Sequence, residues 1–167
     1  MITSLKTNPS WKNRPEAKRL IRLLGSCCYL GYIKKYPGTF GSLPGIVFFL
    51  ITKNLNFWLQ GSILILFILF AIFISEAMED IEETRDPIEI VIDEAAGMWV
   101  ALFGLWDINL TLIILAFLLF RLLDFFKPFP ISIFQTFRGG KGIVADDVAV
   151  GMVTNLIIRF LLIKSFF

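Results

Sequence analysis

The chain of 167 residues has no histidine and two cysteines, the adjacent Cys27 and Cys28. The first absence excludes chemistry that depends on imidazole, and the two together leave zinc without its usual nitrogen and sulfur ligands. A disulfide between neighbouring cysteines would be strained, so both are read as small packing residues. Charge is missing from residues 36–52 and again from 54–75. The first twenty residues are polar and basic, and a cleavable signal peptide is not expected. A net charge of +2 is too small to argue for a nucleic-acid partner.

Apolar residues are abundant instead. They make up 56% of the chain, with 18 Phe and a mean hydropathy of +0.74. That exceeds what a soluble core of this size needs, so the surplus is expected to face lipid. Half of the positive charge precedes the first long apolar stretch, which by the positive-inside rule keeps the N-terminus in the cytoplasm. Residues 1–35 read as a basic tail followed by an amphipathic interfacial helix from Glu16 to Ile33. Residues 36–167 read as one membrane-embedded domain. Asn54-Leu55-Asn56 and Asp107-Ile108-Asn109 are turn signals, and a last helix is expected from about Asp146 to Leu162. The expected fold is all-α, an integral membrane bundle of about five short membrane-embedded helices. This topology puts every Asp and Glu except Asp107 on the cytoplasmic side. Some limbs fall short of the roughly 20 residues a full span needs, which places their acidic ends at headgroup depth.

The acids recur in near-copies: Ile90-Val91-Ile92-Asp93-Glu94-Ala95-Ala96-Gly97-Met98 and Ile143-Val144-Ala145-Asp146-Asp147-Val148-Ala149-Val150-Gly151-Met152. One reading makes them N-caps on two helices that pack through small residues. A cap needs one carboxylate, however, and each motif supplies two. Together with Asp124 they suit Mg²⁺, a cation that takes oxygen ligands and keeps water or phosphate in its shell. A second cluster sets Arg121, Asp124 and Lys127 near one face of a helix end stopped by Pro128. It could grip phosphate, or be an intrahelical ion pair beside a snorkelling lysine. A third, Pro37-Gly38-Thr39-Phe40-Gly41-Ser42-Leu43-Pro44-Gly45, reads as a loop entering a helix, with Thr39 and Ser42 available to phosphate oxygens. Residues 138–142 (Arg-Gly-Gly-Lys-Gly) read as a similar flexible loop. The acidic run from Glu76 to Glu89 reads as solvated surface, with Asp86 the exception to watch. No Cys-x5-Arg loop, Asp-x-Asp-x-Thr nucleophile motif or GxxxxGK[ST] loop occurs.

Four blocks in order, residues 37–43, 90–99, 120–131 and 139–151, resemble the phosphatidylglycerophosphatase A family. Ala95 and Lys141 depart from its usual pattern without removing a carboxylate. The resemblance implies a Mg²⁺-dependent, multi-pass enzyme of the bacterial inner membrane. Its substrate would be a phospholipid in that membrane, phosphatidylglycerophosphate, with the active site on the cytoplasmic face. No obligate protein partner is inferred. Asp93, Glu94, Asp124, Asp146 and Asp147 are the expected metal-binding and catalytic carboxylates. Thr39, Ser42, Arg121 and Lys127 are the expected substrate contacts. Two rivals use similar equipment: a cation channel or transporter lined by paired acids, and a Mg²⁺-dependent lipid phosphotransferase. The apolar midsections of the helices count against the first. The missing Asp-Gly…Ala-Arg…Gly…Asp…Asp signature counts against the second.

Overall fold

Asparagine side chains start two of the longest apolar helices. The Leu59 amide donates to Asn56 Oδ1 at 2.8 Å and the Leu112 amide to Asn109 Oδ1 at 2.9 Å. Each bond satisfies one of the amides a helix start leaves free. The computed structural model describes residues 14–106, 108–127, 129 and 137–165, the last three without their side chains. The N-terminal basic tail, Asp107, Pro128 and most of the loop after it therefore lie outside the described residues. Among those described there are six α-helices and no strand: α1 (Pro15–Gly25), α2 (Pro37–Thr52), α3 (Phe57–Glu82), α4 (Ile92–Leu102), α5 (Leu110–Phe126) and α6 (Gly140–Ser165). The all-α expectation holds.

Helix α3 has 26 residues and at 1.5 Å per residue is about 39 Å long. It is the one described helix long and apolar enough to cross a membrane. Ile65, Leu66, Leu69 and Phe73 form an exposed apolar stripe along it. Helix α4 is different. Its 11 residues reach only about 16 Å, and every one but Glu94 is buried. Beyond Asp93 and Glu94 it is apolar all round, a pattern that calls for burial in protein or in lipid, and here α2 and α6 enclose it. Glycine makes the close approach possible. A Cβ at Gly45 would strike the Ala95 carbonyl, one at Gly97 the Asp147 carbonyl, and one at Gly151 the Gly97 carbonyl. The far end of α4 is held from α6. The Asn155 side-chain amide donates to the carbonyls of Val100, Ala101 and Phe103, and Arg159 donates to Phe103 as well.

Three boundaries differ from the sequence reading. The first helix stops at Gly25 rather than Ile33, because Cys27, Cys28 and Tyr29 adopt left-handed φ of 46°, 61° and 66°. It also docks on protein: Ile21 is buried, Gly25 abuts Met78 of α3, and Arg22 pairs with Glu82 at 2.7 Å. Residues 37–45 are not an entry loop but the opening turns of α2, with Pro37 at the first helical position that proline favours. The last helix begins at Gly140, so Asp146 and Asp147 sit within α6 rather than at its start. There Gly140 packs against the Ile72 carbonyl of α3, a contact that leaves no room for a side chain.

Candidate active site

The start of α4, the end of α5 and the second turn of α6 meet at one end of the bundle around a cavity of about 380 Å³. Asp93 and Glu94 come from α4, Arg121, Asp124 and Lys127 from α5, and Asp146 and Asp147 from α6. All five carboxylates and both cations named from the sequence line it. Pro37 and Gly38 add the N-terminus of α2, and Asp86 enters from the loop between α3 and α4. Asp86 holds a left-handed φ of 49°, with its amide donating to Glu79 Oε1 at 2.9 Å. A larger groove of about 610 Å³ between α3 and α6 is apolar and has no titratable side chain in its lining. The chemistry belongs to the smaller cavity.

Within that cavity the carboxylates divide. Asp93, Glu94 and Asp147 each offer an oxygen within 4.8 Å of the others. Asp93 Oδ1 and Glu94 Oε2 are buried without a hydrogen-bond partner. An unpaired buried carboxylate oxygen is costly, so this donor set fits a hard cation such as Mg²⁺. Asp124 and Asp146 are instead paired with the bases. Arg121 Nη1 lies 2.9 Å from Asp124 Oδ2 and 4.0 Å from Glu94 Oε1. Lys127 Nζ lies 2.5 Å from Asp146 Oδ2, 3.5 Å from Asp124 Oδ1 and 3.7 Å from Asp147 Oδ1. Burial works against the Lys127 charge, but the Asp147, Asp146 and Asp124 carboxylates outweigh it and raise its pKa above the ordinary lysine range. The reading of the two acid pairs as N-caps does not hold. The residue before α4 is Val91, without a side-chain cap, and the second pair is inside α6.

Neither Thr39 nor Ser42 lines the cavity. The start of α2 at Pro37 turns their motif into helix, where Ser42 is fully buried and its hydroxyl donates to the Gly38 carbonyl at 2.8 Å. Arg121 Nη1 in turn lies 3.5 Å from the Ser42 hydroxyl. The α2 motif reaches the site through Gly38, where a Cβ would collide with the Glu94 carboxylate and the Arg121 guanidinium. Sequence reading missed this role, although a glycine in the first helical turn was its signal. Cys27 stays outside the chemistry: burial first, then the charges of Asp93 and Glu94, push its thiol up to about 12. The cysteines are free, as expected.

Oxygen donors, fixed cations and a helix N-terminus at one cavity are the equipment of an all-helical enzyme acting on phosphate esters. Residues 23–162 match the family described as Phosphatidylglycerophosphatase A. The chain is 32% identical over 126 residues to the Escherichia coli phosphatidylglycerophosphatase A, covering 75% of this chain and 73% of that one. It is 31% identical over 133 residues to the Haemophilus influenzae protein of the same name, covering 77% and 80%. A Bacteroides thetaiotaomicron protein, provisionally named a phosphatidylinositol-3-phosphatase, is 29% identical over 143 residues, covering 81% and 89%. No solved structure matches. The chain belongs to the phosphatidylglycerophosphatase A family and is a phosphatase, a phosphoric monoester hydrolase.

Proposed function

We propose that this phosphatase removes the terminal phosphate of phosphatidylglycerophosphate, giving phosphatidylglycerol and inorganic phosphate, with Mg²⁺ as its cation. The observation that carries the reading is the unpartnered pair of buried oxygens, Asp93 Oδ1 and Glu94 Oε2, beside two fixed cations. Asp93, Glu94 and Asp147 are the residues that would hold Mg²⁺, while Asp124 and Asp146 hold Arg121 and Lys127 in place. When bound, Mg²⁺ supplies neutralisation of phosphate oxygens and makes water a better nucleophile.

The protein's own groups do the remaining work. Arg121 and Lys127 face the charge that spreads over the phosphoryl oxygens as the bond to the glycerol oxygen breaks. The N-terminus of α2 offers the Gly38 N–H and the positive end of a helix dipole to the same phosphate, since Pro37 has no N–H and the Thr39 and Phe40 amides donate to the Tyr36 carbonyl. Glu94 or Asp147 takes the proton of the attacking water. Water adds to phosphorus, the phosphorus–oxygen bond to glycerol breaks, the leaving oxygen takes a proton from solvent, and the carboxylate returns the proton it took to solvent.

The enzyme would be a multi-pass protein of the bacterial cytoplasmic membrane, with its N-terminus and site facing the cytoplasm. The exposed apolar stripe on α3 supports this, as do Leu118 and Leu122 on α5 and Leu156 and Phe160 on α6. The name of the Bacteroides relative gives one alternative headgroup. Phosphate release by detergent-purified protein from phosphatidylglycerophosphate and from phosphatidylinositol 3-phosphate, side by side, tests the choice. Preference for the first supports the reading, and preference for the second replaces the substrate while keeping the chemistry.

A further inference from the structure

Two-metal phosphatases place their ions about 3.5–4 Å apart, with carboxylates around both. The carboxylates here fall into two groups that share Asp147, and one of the two already holds a charge of the protein's own. Asp124, Asp146 and Asp147 converge on Lys127 Nζ at 3.5, 2.5 and 3.7 Å. An ammonium carries three N–H donors, and three carboxylates face it. Asp147 belongs to both groups, because it also joins Asp93 and Glu94 in the set whose oxygens lie within 4.8 Å of one another. That is the place of a carboxylate shared between two cations.

Lys127 is also held rigidly. It ends α5 in a left-handed conformation with φ of 39°, and its amide donates to the Leu123 carbonyl at 2.7 Å. Asp93, which lines the same cavity, is 7% exposed, and its Oδ1 is buried without a hydrogen-bond partner. The Lys127 side of the cluster is therefore furnished with an ammonium, while the Asp93 side keeps unpartnered oxygens, with Arg121 4.0 Å from Glu94 Oε1.

We propose that the Lys127 ammonium takes the place of a second metal ion, so that this phosphatase binds a single divalent cation, held by Asp93, Glu94 and Asp147. The inference rests on the phosphatase reading given above but concerns a separate property, the number of ions. A tethered ammonium cannot dissociate, so activity depends on free metal to the first power. It also cannot activate water as a metal ion does, which confines that task to the Asp93 side of the cavity.

The test counts ions directly, using Mn²⁺ as the probe on the detergent-purified full chain. Calorimetric titration gives the number bound, and electron paramagnetic resonance distinguishes an isolated Mn²⁺ from a coupled pair. The expected result is one uncoupled Mn²⁺ for the wild type and for Lys127→Arg, and two coupled ions for Lys127→Ala. Two ions in the wild type overturn the inference, as does Lys127→Ala remaining at one. Should Lys127→Ala fail to fold, the wild-type count decides together with Lys127→Gln, which keeps the bulk and loses the charge. Phosphate release by the same preparation separates the two claims. An active enzyme with two ions sinks only the inference, while an inactive, folded protein with one ion sinks only the phosphatase reading.

Discussion

Gly38 and Glu94 are packed so closely that the space a Cβ would fill at Gly38 is occupied by the Glu94 carboxylate, with the Arg121 guanidinium also in contact with it. A metal-binding candidate and a phosphate-binding candidate are thus positioned by the same missing methyl group. Gly38→Ala suits a helix intrinsically, so stability should change little. Displacing Glu94 and Arg121 by about 1 Å is enough to cost roughly 100-fold in rate. The expected outcome is that large a loss in kcat/KM with a Tm within a few degrees of wild type. Retained activity would show that Gly38 does not set the geometry of the site.

Gly97 lies where α4 crosses α6, against the Asp147 carbonyl and the Phe120 ring. Gly97→Ala overpacks this crossing, at a cost of about 1–3 kcal/mol, and moves Asp147 away from Asp93 and Glu94. Thermal unfolding and phosphate release should both decline. A variant as stable and active as wild type would contradict the close crossing.

At the opposite end of α4, the two N–H groups of the Asn155 amide are shared among three backbone carbonyls, away from the carboxylate cavity. Asn155→Leu removes those donors, at about 1–3 kcal/mol for each carbonyl left without a partner, although the Val100 carbonyl keeps the Phe103 amide. Arg159 still reaches the Phe103 carbonyl and limits the damage. Denaturant unfolding should show the loss, while kcat of the folded fraction remains near wild type. A selective loss of kcat would instead connect this end of the helix to the chemistry.

The Cys27 thiol, pushed up to about 12 by burial and the neighbouring carboxylates, stays protonated at pH 8. Cys27→Ser should keep its phosphatase activity. Mass spectrometry after brief alkylation at pH 8 should find the exposed Cys28 modified and Cys27 unmodified. Rapid modification of Cys27 would show that the turn after α1 opens more readily than its packing implies.

Much of the site was legible in the sequence, because charge in an apolar chain is confined to where something compensates it. The five carboxylates, Arg121 and Lys127 converge for that reason, and Asn56 and Asn109 mark helix starts through a local side-chain bond. The unread parts depend on contacts between segments distant in sequence. Gly139 to Gly142 reads as a loop by propensity, yet Gly140 is helical because α6 must approach the Ile72 carbonyl closely. The apolar run of α4 looks the same whether lipid or protein surrounds it, and only its packing between α2 and α6 decides. Hydroxyls in a glycine-rich motif before a helix, within a block that resembles the family, point Thr39 and Ser42 to phosphate, but the register of α2 takes Ser42 into the interior. The partition of the acids between Lys127 and a metal position has no sequence signature at all.

The central claim is that Asp93, Glu94 and Asp147 hold the cation with which phosphate is released. Its most direct test is phosphate release from phosphatidylglycerophosphate by folded, lipid-supplemented protein across a Mg²⁺ titration, for the wild type and Asp147→Asn. The account predicts release that rises with Mg²⁺, stops with EDTA, and is lost in Asp147→Asn at every Mg²⁺ concentration. Release unaffected by EDTA, or an Asp147→Asn variant as active as wild type, would contradict it.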